Sequence, residues 1–152
     1  METLTKNENY RIEVVKKTPH LSAETEEALS AVRELPLPVQ IALRALQHFA
    51  DKANDGADVY ITYDSSAYFK VMTRRSVFVF EQLSENTYVL YFERQKRSTE
   101  LIKKVFISCS EETAKRIAGA LYSVFSDAVE NSNVDIRPII ELFYNNHNLN
   151  DN

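Results

Sequence analysis

Glycine is almost missing from this chain: Gly56 and Gly119 are the only two in 152 residues. A phosphate-cradling loop, a dinucleotide-binding fingerprint and a nucleophile elbow each need several glycines at short spacing, because the backbone must pass where a Cβ cannot. Those enzyme classes are excluded. Cysteine is scarcer still. Cys109 stands alone, so no internal disulfide can form, and no N-terminal run has the charged start and apolar middle of a signal peptide. A reducing compartment inside the cell, cytoplasm or nucleus, is the expectation. No apolar run approaches the roughly 20 residues of a membrane span, so a soluble protein is expected. A basic excess is lacking too. The 22 acidic residues outnumber the 18 Lys and Arg, for a net charge of −4, which argues against binding to a nucleic-acid backbone. His20, His48 and His147 lie on separate segments, and none has the close spacing to another His or to Cys that compact metal motifs require. No metal or cofactor is expected.

What remains is a chain rich in core formers, 44% hydrophobic and 11% aromatic, long enough for one folded domain. The first nine residues are polar and read as a flexible N-terminus. Residues 10–16, YRIEVVK, alternate apolar and polar side chains as a strand does. Ser22 ahead of Glu24, Glu26 and Glu27 predicts a helix start, with the helix running to about Glu34. Pro36 and Pro38 then interrupt the chain. Val39, Ala42, Leu43, Leu46, Phe49, Ala50 and Ala53 recur at helical spacing and predict a second helix with one apolar face, stopped at Gly56.

From Asp58 to Cys109 the period shortens to two. VYITY, SAYFKVM, SVFVF, TYVLYF and LIKKVFISC are separated by short polar pieces, which predicts antiparallel strands joined by hairpins. Ser110, followed by Glu111 and Glu112, predicts a capped helix whose apolar stripe includes Ile117, Leu121, Val124 and Phe125. An Asn-rich end surrounds a short apolar knot, IRPIIELFY from Ile136, read as a short helix. The fold class is therefore α+β: an antiparallel sheet with N-terminal helices and a long C-terminal amphipathic helix packed on it. One domain over residues 10–130 and a C-terminal extension over 131–152 is the expected organisation.

Chemistry is sparse in the pattern. Cys109 follows Val105 and Ile107 at period two and reads as a buried small hydrophobe rather than a nucleophile. His48 reads as a partly exposed, hydrogen-bonded histidine. The adjacent acids Glu26–Glu27 and Glu111–Glu112 read as solvated first-turn carboxylates. Charge is more informative. Residues 57–108 hold eight basic residues against six acids, and Arg74, Arg75, Arg94, Lys96 and Arg97 form a candidate contact for an anion, an acidic partner or an anionic lipid head group. Protection of edge strands is the competing reading. Gly119 sits mid-helix, where it costs about 1 kcal/mol against alanine. It lies on a shoulder with Lys115, Tyr122 and Ser126. Either something approaches the helix backbone there, a ligand or another segment of this chain, or a surface glycine is simply tolerated.

The stretch VFISCSEETAKRIAGALYSVFSDAVE, residues 105–130, resembles the end of a phosphotyrosine-binding (PTB) domain of the pleckstrin-homology (PH) superfold: a last strand, then a capped helix with Ala and Ile in its middle and a Phe near its end. That family adds an extended peptide to a strand in the groove beside the last helix. The resemblance implies a peptide strand at residues 76–81, with Ser76, Phe78 and Phe80, facing Ala118, Gly119, Tyr122 and Phe125 of the helix. In coarse element order the chain is also similar to small glycogen-synthase-kinase-interacting proteins and to dimeric secretion-type chaperones. All three are binding proteins. The functional expectation is a non-catalytic adaptor for an extended peptide, held between a sheet edge and the C-terminal helix; the alternative is a subunit or chaperone-like member of a stable complex. The oligomeric state stays open.

Overall fold

The structure, a computed structural model, describes residues 35–94, 103–131 and 135–144. The strand expected at residues 10–16, the helix expected at 22–34, and Lys96 and Arg97 of the basic rim lie outside the described residues. Helix α1 spans Leu37–Asn54, entered through Pro36 and Pro38; proline suits a first helical turn, whose N–H groups have no partner inside the helix. It stops at Gly56, in the left-handed region at φ +95°. There the Gly56 and Ala57 N–H groups donate to the carbonyls of Ala53 and Lys52 at 3.0 and 2.9 Å.

Five strands follow: β1 Tyr60–Asp64, β2 Tyr68–Met72, β3 Ser76–Ser84, β4 Thr87–Arg94 and β5 Lys103–Ser108. They form one antiparallel sheet in the order β1-β2-β3-β4-β5. A bulge between Gln82 and Ser84 interrupts the β3–β4 register. Alternation assigns the faces. Phe69, Val71, Phe78, Phe80, Tyr88, Leu90, Phe92, Val105 and Ile107 are buried on the inner side, whereas Phe106, out of phase with them, is 59% exposed.

Helix α2, Glu111–Asn131, closes the inner face. Its start is capped as expected: the Ser110 hydroxyl accepts the Thr113 N–H at 3.1 Å. Ala114, Ile117, Ala118, Leu121, Val124, Phe125 and Ala128 are buried. The helix lies over β1 and β2, while α1 lies beside it over β4 and β5. Phe125 is the wedge between layers: its ring stacks on Phe78 with centroids 5.1 Å apart and tilts against Phe69 at 5.3 Å. Helix α3, Arg137–Tyr144, starts where Asp135 accepts the Arg137 N–H at 3.0 Å and pairs with its guanidinium.

Two expectations are refined. The C-terminal segment docks on its own domain and does not stand apart from it: Ile136, Ile139, Ile140 and Phe143 join the same core as the sheet. Its apolar side needed cover and found it against α1 and α2. Nor does α1 bury only one face. Ile41 and Ala45 extend the buried surface, and Arg44 and Gln47 on the opposite side are buried as well. No helix among the described residues is long and apolar enough to cross a membrane.

Candidate functional site

The segment at residues 76–81, implied as a peptide-accepting edge, is the middle of the sheet. It pairs with β2 on one side and β4 on the other, so both rows of its backbone groups are taken and no peptide strand can add there. Phe78 and Phe80 are fully buried. Ser76 is buried too, its hydroxyl 2.6 Å from His48 Nε2. Ala118 and Phe125 of the helix are core residues. Of the seven implied peptide contacts, only Gly119 and Tyr122 lie at an accessible surface.

That surface borders a different strand. Among the described residues the sheet's edges are β1 and β5. On β5, Lys104 places its ammonium 5.5 Å from the centre of the Tyr91 ring, and lysine is a usual guard on an exposed edge. Strand β1, YITYD, carries no Lys, Arg or Pro, and its ladder to β2 runs unbroken from Tyr60↔Met72 to Asp64↔Tyr68. Beside it runs α2. The Tyr63 ring stacks on Tyr122 at 4.9 Å and 25°. A Cβ placed on Gly119 would lie 3.3 Å from the Tyr63 hydroxyl, so the close approach to the glycine comes from this chain itself. Tyr60, Tyr63 and Tyr122 are 60%, 37% and 40% exposed. Tyr60 and Tyr63 went unnoticed in sequence as site residues; their place on the first strand of a meander was the available signal.

A second feature lies under the C-terminal turn of α1, where an open cavity of about 310 Å³ separates the helix from the ends of β3 and β4. Its floor is the Ser76–His48 pair. The His48 ring also meets Phe49 and Phe92 edge-on, with centroids 5.0 and 5.4 Å away. Burial, then the cations Arg94 and Lys52, push its pKa down to about 3, so the imidazole is neutral at ordinary pH. Arg75 reaches the cavity from the β2–β3 turn, which is held by Thr73 N–H to Ser76 O at 3.0 Å and Arg75 N–H to Thr73 Oγ1 at 3.2 Å. Of the basic rim read from sequence, Arg75 and Arg94 converge here. Arg74 is exposed and does not line the cavity. Lys52 and His48 belong to it, and nothing in a linear reading linked them to β3.

Cys109 is buried, and burial pushes its thiol up to about 11. Among the described residues no cluster of three His, Cys, Asp or Glu side chains is placed to hold a metal ion. Comparison of the chain with protein-family models, with curated proteins and with solved structures gives no match.

Proposed function

We propose that this domain is a non-catalytic interaction adaptor that captures an extended segment of a partner protein by adding it to the β1 edge beside α2. The observation that supports the reading is that, among the described residues, β1 is an edge strand without Lys, Arg or Pro, with Tyr60, Tyr63 and Tyr122 exposed along it. An edge strand turns the N–H and C=O of alternate residues away from its neighbour, and an incoming strand satisfies them. Tyrosine suits the contact, since its ring buries apolar area while its hydroxyl stays bonded. The alternative of a stable-complex subunit has less support from the short C-terminal apolar segment, since Ile136, Ile139, Ile140 and Phe143 are buried in the domain's own core.

The test is selection of binding peptides from a random displayed library on the full chain, followed by the Gly119→Arg variant. The arginine displaces the Tyr63 ring tip and fills the space beside β1 without touching the core stripe of α2. Selected peptides should lose roughly tenfold or more in affinity, with the urea midpoint near that of the parent. Peptides that bind Gly119→Arg as well as the parent, or a library that yields none, would refute the reading.

A further inference from the structure

An edge strand open to a partner's segment is open to any matching strand, and β1 matches itself. We propose that in the free protein β1 pairs antiparallel with β1 of a second copy, in a two-fold dimer that closes the edge until an extended segment displaces it. Displacement rests on capture at β1; the pairing does not. A two-fold axis at Thr62 sets Thr62 opposite its own copy, Ile61 opposite the second copy's Tyr63, and Tyr60 opposite its Asp64. Threonine pairs and aromatic–aliphatic pairs are favourable across an antiparallel ladder. Asp64 is the only charge on the strand, and in this register it meets a tyrosine, so no like charges are opposed. The pairing joins like faces of the two sheets, which keeps both α2 helices on one side.

The helices fit the same axis. Tyr63 stacks on Tyr122, and its hydroxyl stands 3.3 Å from a Cβ placed on Gly119, so the stretch of α2 between Gly119 and Tyr122 lies beside the middle of β1. The axis that maps β1 onto itself therefore maps this shoulder onto itself: Gly119 faces the second copy's Tyr122, small against large, and Lys115 faces its Ser126, so no lysine meets a lysine. Because α2 lies over β1 and β2, strand spacing brings the two α2 axes to roughly 10 Å, a separation at which helices pack. Tyr60, Tyr63 and Tyr122, exposed in one copy, are the rings the contact covers. A five-residue ladder and one helix shoulder make a small interface, below about 1,200 Å², as weak and transient contacts have. The dimer therefore forms at high concentration and leaves the edge free at low.

Sedimentation equilibrium of the full chain, from about 5 µM to about 1 mM, should show a reversible dimer within that range. Two variants at Tyr60, which is 60% exposed, test the register. Tyr60→Glu sets a carboxylate opposite the second copy's Asp64 twice per dimer, and Tyr60→Lys sets an ammonium there. The Lys variant should dimerise roughly tenfold more tightly than the Glu variant. Phe106→Glu, on the opposite edge strand, should dimerise as the parent does. A saturating library-selected peptide should convert the dimer to a monomer–peptide complex. A chain that stays monomeric at about 1 mM, equal affinities for the two Tyr60 variants, or a dimer lost in Phe106→Glu would overturn the pairing. A dimer that persists with the peptide bound would overturn the displacement. A library without binders sinks capture and displacement together, while sedimentation still decides the pairing.

Discussion

Truncating Phe125 to alanine removes the side chain on which sheet and helices converge. The ring is fully buried, stacks on Phe78, tilts against Phe69, and on its other side meets a tight seam of α1 and α3 residues including Leu43, Leu46 and Ile139. A buried Phe→Ala change costs about 3–5 kcal/mol, and each lost ring pair adds about 0.5–1.5 kcal/mol beyond area, so the upper half of that range is expected. A domain of this size has roughly 5–15 kcal/mol in total, and at about 2–4 °C per kcal/mol the melting temperature should fall by about 8–20 °C. Phe125→Leu keeps most of the volume but loses the ring pairs, and should cost about 1–2 kcal/mol. Urea unfolding monitored by circular dichroism reads both, with the denaturant slope unchanged if the unfolded state is the same. A loss under about 1.5 kcal/mol for Phe125→Ala would refute the claim that this ring joins the layers.

Tyr88 is fully buried and stacked on Phe80 at 5.6 Å, and its hydroxyl has no hydrogen-bond partner among the described residues. Since an unsatisfied buried hydroxyl costs about 1–3 kcal/mol, Tyr88→Phe should be neutral to stabilising by about 1 kcal/mol in the same urea assay; a clear loss would mean the hydroxyl is bonded. His48 titrates near 6.5 in the unfolded chain and at about 3 when folded, so between those values the unfolded state holds the extra proton. Its contribution is present above pH 6.5 and is lost on acidification, by up to about 1.4 kcal/mol per pH unit. Against His48→Gln, the parent should therefore lose stability more steeply as pH falls from neutral to about 4, and parallel profiles would contradict the burial of a neutral imidazole.

Much of the architecture was legible because it rests on local chemistry. The stop at Gly56, the Ser110 cap and the change of period after Asp58 each act within a turn or a strand, and each falls where its residues predict. The peptide strand was misplaced for a different reason. Five strands joined by short hairpins already put the third one in the middle, but residues 76–81 came from resemblance to a fold in which that strand has a free side. Of the contacts that build the two candidate sites, only the close approach at Gly119 was legible, and not the residue that makes it. Tyr63 meets Gly119 and His48 meets Ser76 only through packing of distant segments, and neither residue carries a local signal for its partner. The burial of Arg44 and Gln47 was hidden as well, since a helical wheel places both on the side away from the Phe49 stripe.

Amide hydrogen exchange of the full chain, alone and with a library-selected extended peptide, tests the central claim most directly. Capture at the β1 edge predicts new protection at those amides of Tyr60–Asp64 that point away from β2, with shifts at Gly119 and Tyr122 and none along Lys103–Ser108. Protection confined to β5, or a bound peptide that leaves β1 amides exchanging as before, would contradict it.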